Sequence, residues 1–331
     1  MTIPPDALKE RIKMRLMRAI GLLDLRADLS ARQTELDERL NDLARQLTDL
    51  RVEASALQVI EGQPSNGFRA SLDHIEQELA LIQASQAQAG RFDLLHQRAA
   101  AARTGHLGKS ATVDAPAAHS LQDALAELKR RAPLNFAAWQ RLFEAAERTY
   151  AARSPADLSV ESHREAFLFR QIVAIYARGR ILDLGVGPLS TPAYLSDFPP
   201  EQLAGLDPLT PFEPHPFAFA HSVAEFIPWP DGSFETLVAA TSLDHVYLLD
   251  VALAEASRVL VPGGRLLIWT GLFAETAPYN PYQTTIEPID QYHLFHPGEN
   301  WFLPYLTRWF RLLERVEVGP NNVIFALERC S

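Results

Sequence analysis

The chain has 331 residues, room for a complete α/β domain and a further element, and a formal net charge of −10. Residues 131–331 hold 14 basic against 23 acidic side chains, which gives no general attraction to phosphate backbones and disfavours nucleic acid as a partner. One cysteine, Cys330, excludes an intrachain disulfide framework and a cysteine-rich zinc site and fits a reducing, cytoplasmic setting; no apolar run is long enough to span a bilayer, and the N-terminus makes a poor signal peptide.

Leu22, Leu29, Leu36, Leu43, Leu50 and Leu57 recur every seventh residue, with charged residues at most outward positions. That spacing predicts a coiled coil that self-associates as a dimer or trimer; the alternative is one long amphipathic helix lying on its own domain. Upstream, Lys9, Arg11, Lys13, Arg15 and Arg18 share a helical pattern with Ile12, Leu16 and Ile20. This segment suits peripheral contact with an anionic membrane face, or else the charged start of the coil. Residues 1–102 therefore read as a helical stalk with a break near 62–67. Residues 103–119, rich in Gly, Ala, Ser, Thr and His, read as a linker, 120–159 as a helical connector, and 160–331 as an α/β domain.

Within the connector, helices are expected over 120–131 and 135–152. The second carries Phe136, Trp139, Leu142, Phe143, Ala146 and Tyr150, a stripe assigned to packing rather than to ligand stacking. A third helix is expected from Ser162 to Ala177, with Gly179 closing it. Arg164 in its first turn is either a partner for a ligand carboxylate or a surface ion pair.

Ile181, Leu182 and Leu184 read as a short buried strand around Asp183, followed at once by Gly185 and Gly187. Two glycines so placed let the backbone turn tightly beside a ligand at the carboxyl end of a first parallel strand. A second strand, 203–206, leads into Asp207, where a carboxylate can accept hydrogen bonds from ribose hydroxyls. Further strands are expected over 217–225, 236–241 and 265–269, with a helix over 250–259 and a Pro262-Gly263-Gly264 reversal. A helix over 301–310 and paired strands over 312–318 and 322–328 close the chain.

In this order of elements, residues 160–331 resemble the class I S-adenosylmethionine-dependent methyltransferases of the small-molecule type. The resemblance implies an α/β fold, a Rossmann-like seven-stranded sheet with flanking helices, and S-adenosyl-L-methionine as cofactor. Asp183, Gly185 and Gly187 match the first cofactor motif, Asp207 the ribose carboxylate, and Ala224-Glu225 the adenine contact, with Phe226 lining the pocket and Thr241 ending strand four. Val223 stands where many members have an aspartate. Gly187-Pro188-Leu189 departs from a dinucleotide fingerprint. A helix is expected to start near Ser190, capped by that side chain.

The insertion over 270–301 mixes polar and aromatic residues, which suits a sugar or another polar cyclic acceptor, or ordinary packing over the sheet edge. Asp244, Tyr279, Tyr282, Asp290 and Tyr292 are the candidate substrate contacts. If the acceptor is a hydroxyl, a base must take its proton, and His245, His293 and Glu275 are the candidates. The spacing of His293 and His296 with Glu287 or Asp290 is too loose to assign a metal. The sequence thus points to methyl transfer to a hydroxyl of a glycan, sugar or related small molecule, by heads placed beside a surface-polysaccharide assembly at the inner face of a membrane. A lipid or protein acceptor, or an inactive methyltransferase-like oligomerisation scaffold, are the alternatives.

Overall fold

A computed structural model describes residues 92–103, 111–152 and 164–330, without the Arg164 side chain. The chain divides into two compact units, Met1–Leu94 and Leu95–Ser331, and the second carries the sheet. The heptad leucines, the basic segment ahead of them and the break near 62–67 lie outside the described residues.

In chain order the described helices are α1 (92–103), α2 (Leu121–Arg131), α3 (Pro133–Ala151), α4 (Arg164–Tyr176), α5 (Leu249–Val259) and the short α6 (Phe302–Leu306). The strands are β1 (Ile181–Leu184), β2 (Leu203–Asp207), β3 (Ala218–His221), β4 (Phe234–Ala240), β5 (Leu260–Gly271), β6 (Phe310–Gly319) and β7 (Asn322–Arg329). They form one sheet in the order β3-β2-β1-β4-β5-β7-β6. The first five are parallel, and β7 runs antiparallel between β5 and β6. No described helix is long and apolar enough to cross a membrane.

Every residue of β1 and β2 is buried, as expected for parallel strands covered on both faces. Alternation along the strands divides the two layers. Leu182, Leu184, Leu237, Ala239, Leu266 and Ile268 share a core with α2, α3 and α5. On the other face, Phe169 of α4 meets Trp269 and Tyr194, with ring centroids 6.0 and 5.3 Å apart. Pro133 sits in the first turn of α3, where its missing N–H costs nothing. The fully buried Tyr247 donates its hydroxyl to the Ala132 carbonyl at the α2–α3 junction, fastening both helices to the loop after β4.

One connection is bonded to the domain and another differs from expectation. Residues 111–119 run extended against the domain, with Val113 N–H bonded to the Glu201 carbonyl and Ala117 N–H to the Pro228 carbonyl. Between β1 and β2 no α-helix starts at Ser190. That crossover holds only the 3₁₀ turns Ala193–Leu195 and Pro200–Gln202, and Ser190 is exposed. Pro192 disfavours a helical Thr191, and Pro199 and Pro200 stop a helix from running on past Phe198.

Candidate active site

Strand order reverses direction between β1 and β4, and there the carboxyl ends of β1, β2, β3 and β4 open into a cavity of about 190 Å³. The turn after β1 forms its floor. Gly185 has φ +81°, and a Cβ there would stand 2.5 Å from the Ser242 Cβ, so only glycine fits. Gly187 has φ +74°, and its absent Cβ would meet nothing within 4 Å because it faces open space. Thr241, at the end of β4, also holds a left-handed backbone with φ 51°, fixed by its N–H to the Trp269 carbonyl at 2.7 Å. Strain of this kind at a non-glycine residue marks a place where the surroundings dictate the backbone.

Three buried carboxyl groups surround this floor. Asp207 accepts the Gly187 N–H at 2.8 Å and the Leu209 N–H at 2.7 Å, one on each oxygen. Burial pushes its pKa up to about 6 against the pull of those two donors. Each oxygen keeps a further lone pair, and Asp207 is among the residues that line the cavity. Asp183 does not line the cavity; it is fully buried behind Tyr194, whose hydroxyl donates to Oδ2 at 2.8 Å, and its Oδ1 has no partner. Burial raises its pKa to about 8, with the Tyr194 hydrogen bond opposing and Asp207 adding. Glu225 does reach the wall, but its Oε1 accepts the N–H groups of Tyr247 and Leu248, both at 2.8 Å, and so caps the approach to α5. Burial lifts its pKa to about 7.

The opposite wall is α3. Trp139, Leu142, Phe143, Ala146 and Tyr150 face the cavity, and Trp139 donates its indole N–H to the His245 carbonyl at 2.9 Å. Sequence reasoning gave this stripe to packing. It does pack, since Trp139 stacks on Phe143 and Tyr247, but one edge of it is also a wall. Ala146, a small residue in the middle of an aromatic stripe, was the signal that room is left there.

At the mouth, His245 stacks on His293 with centroids 4.4 Å apart and planes at 28°. Asp290 accepts from His293 Nδ1 at 2.8 Å and lies 3.2 Å from His296 Nε2. Asp244 is nearly buried beneath the two stacked rings. The His245 side chain is 44% exposed yet sits in a cleft, and loss of solvent lowers its pKa while Asp244 opposes. Tyr292 completes the rim, its hydroxyl 3.2 Å from that of Thr149.

Residues 182–268 match the protein family described as a methyltransferase domain. This stretch is a methyltransferase domain. Over 50 residues the chain is 46% identical to the ubiquinone/menaquinone biosynthesis C-methyltransferase UbiE of Teredinibacter turnerae, covering 15% of this chain and 20% of that protein. It is 51% identical over 45 residues to the protein of the same name from Paraburkholderia phytofirmans, covering 14% and 18%. The chain thus spans about a fifth of the length of the curated relatives it matches. Among solved structures it is similar to N-methyltransferase NodS of Bradyrhizobium japonicum WM9 in complex with S-adenosyl-L-homocysteine, at 14% identity and TM-score 0.42 over 57% of this chain and 98% of that one. It is also similar to the 1,6-didemethyltoxoflavin-N1-methyltransferase of Burkholderia thailandensis, at 15% identity and TM-score 0.45 over 66% and 94%.

S-adenosylmethionine, the cofactor of this methyltransferase class, fits the residues present. Among the described residues, those lining the cavity include Asp207 and Glu225 but no lysine or arginine, a charge pattern suited to a sulfonium and an ammonium group. The same pattern, with no helix starting after the glycine turn, is unsuited to the pyrophosphate of a dinucleotide. Asp183 Oδ1 remains a bare acceptor behind the floor.

Several expected site residues of the methyltransferase domain fall elsewhere. Phe226 does not line the cavity; its ring meets His119 and the Arg131 guanidinium. Glu275 is exposed and away from the cavity. Tyr279 is buried, stacked on Phe295 at 4.1 Å, with its hydroxyl donated to the Tyr247 carbonyl. Tyr282 donates to Asp250 at the surface. In each case a protein partner already takes the group that was to meet a ligand, or solvent does. Ala224, Thr241, His245 and Tyr292 line the cavity as expected, and the Arg164 side chain lies outside the described residues.

Proposed function

We propose that the protein transfers a methyl group from S-adenosylmethionine to a small, largely apolar acceptor carrying a hydroxyl or a similarly activated atom. The observation that carries this reading is the wall made by Trp139, Leu142, Phe143 and Ala146, which faces the glycine turn across the cavity. A planar or aliphatic ring gains by burial there, at roughly 25 cal/mol per Å² of apolar surface covered. A glycan acceptor loses support, because Glu275, Tyr279 and Tyr282 do not reach the cavity. The short stretch similar to quinone C-methyltransferases supports cofactor use and says little of the acceptor.

On this reading S-adenosylmethionine, when bound, supplies an electrophilic methyl group. Asp207 holds ribose hydroxyls while bracing the glycine turn through the Gly187 N–H. Glu225 and Ala224 border the adenine, and Tyr194 relays Asp183 to the wall. The α3 roof excludes water, and the mouth residues position the acceptor's reactive atom. The hydroxyl proton has an acceptor there, the His245 imidazole, which lines the cavity.

A labelled-methyl assay on cell extract separated by polarity tests the assignment. Label should enter organic-soluble small molecules. Label confined to polysaccharide or protein would refute the acceptor class, and no cofactor binding by folded protein would refute methyl transfer itself. Self-association through Leu22 to Leu57 is a separate proposal resting on the heptads; sedimentation of the full chain as a monomer would refute it.

A further inference from the structure

At the mouth of the cavity, two distant chain segments bring together three donors that the fold itself does not require. Asp244 is 9% exposed, and its Oδ1 is buried with no hydrogen-bond partner. A carboxylate oxygen left bare in this way is costly unless a ligand satisfies it. That oxygen lies 4.0 Å from His245 Nε2, and Oδ2 lies 3.8 Å from His293 Nε2. With the two rings stacked, both Nε2 atoms are presented to one carboxylate.

One imidazole is also held from behind: His293 Nδ1 lies 2.8 Å from both oxygens of Asp290. A carboxylate or carbonyl on the far nitrogen places the ring proton there and frees the Nε2 lone pair, the usual arrangement behind a metal-bound histidine.

We propose that Asp244, His245 and His293 bind a first-row divalent cation of the zinc type, with open coordination toward the cavity. Two imidazole nitrogens and one carboxylate oxygen suit zinc and its neighbours; magnesium and calcium favour all-oxygen sets. Three protein ligands leave room for a water or a substrate atom. The donor atoms lie within 4.8 Å of one another, against roughly 3.4 Å between ligands of tetrahedral zinc, so binding draws the side chains together by about an ångström. Asp290, His293 and His296 form a second group at similar spacing. There Asp290 is exposed and already serves His293, His296 and the N–H groups of Tyr292 and His293. It supports the first group from outside. Resting on the methyl-transfer reading, the open position takes the acceptor's hydroxyl, whose proton passes to solvent water at the exposed rim, and the imidazoles then act as ligands rather than as proton acceptors.

Chelator-treated full-length protein, without S-adenosylmethionine, is titrated with Co²⁺ followed by visible absorption and with Zn²⁺ by calorimetry. One equivalent should bind, with visible d–d bands for Co²⁺. His245→Gln, His293→Ala and Asp244→Asn should each weaken binding by about 100-fold or more, and Asp290→Asn by about 10-fold. His296→Ala should change it by no more than a few-fold. Tryptophan emission checks that each variant is folded, and His245, at the exposed rim, gives the variant least able to disturb the fold. No stoichiometric uptake by folded wild-type protein overturns the proposal, as does a loss with His296→Ala equal to that with His245→Gln. Metal uptake is read without cofactor or acceptor, so its failure and a failure of methyl transfer are separate results.

Discussion

Asp183→Asn is the sharpest test of how the glycine turn is supported. In the folded, cofactor-free protein burial holds the Asp183 pKa at about 8, against 3.8 for the ordinary side chain. Between those values the unfolded chain has released its proton and the folded chain keeps it. Stability from this group is therefore fully present below about pH 4 and is lost as the pH rises toward 8. One proton corresponds to about 1.4 kcal/mol per pH unit, or about 3 kcal/mol between pH 5 and pH 7. Asparagine still offers Tyr194 an acceptor and has no charge to bury. All five tryptophans lie between Trp139 and Trp309, so urea unfolding followed by their emission reads the sheet unit. Wild-type stability should fall by about 3 kcal/mol more than that of Asp183→Asn over this range. Asp207 and Glu225, also raised by burial, and Asp197, Glu235 and Glu314, lowered by their arginine partners against burial, contribute to both proteins and cancel in the comparison. Parallel stability–pH profiles would refute the reasoning.

Gly185→Ala forces a left-handed alanine against Ser242 and should cost about 3 kcal/mol of stability, whereas Gly187→Ala should cost about 1 kcal/mol and mainly weaken cofactor binding by filling the cavity. Equal losses in urea titrations of the two variants would contradict the geometry. Asp207→Asn should weaken S-adenosylmethionine binding about 10- to 100-fold in calorimetry, and unchanged affinity would remove the ribose role. Phe143→Ala should raise the acceptor KM with cofactor affinity unchanged, and a matching loss of cofactor binding would show that α3 serves the cofactor instead. Trp139→Phe removes the bond to the His245 carbonyl and part of a buried ring stack, so thermal and urea unfolding should show a loss of about 2–3 kcal/mol.

The sheet was legible because its signals are local. Ile181 to Leu184 and Leu203 to Asp207 read as apolar runs since both faces of a parallel strand are covered, and the positive φ of Gly185 and Gly187 is a demand that only certain residues meet readily. The crossover after β1 differs from a helix although its prolines were in view: Pro192 is extended and disfavours a helical Thr191, a local signal that the resemblance to a helix-bearing family overrode. Lining and packing give helix α3 the same stripe of Trp139, Leu142 and Phe143, so periodicity could not separate them. Asp183 and Glu225 were found as residues but not in their roles. Whether a carboxylate faces a ligand or caps a backbone depends on rotamers and neighbours such as Tyr194 and Tyr247, which spacing does not encode. The meeting of Asp244 and His245 with His293 depends on tertiary folding alone.

The apolar wall on α3 lies wholly outside the stretch that matches the methyltransferase family, as does Tyr292 on the rim beside Thr149. On the proposed reading, cofactor and acceptor recognition are thus largely divided between parts of the chain, with Asp244 and His245 the exceptions. Drift in residues 139–150 can retarget the protein while the glycine turn and Asp207 stay untouched. Two chains alike over residues 182–268 therefore need not share a substrate, and exchanging the α3 face alone is the economical route to a new one.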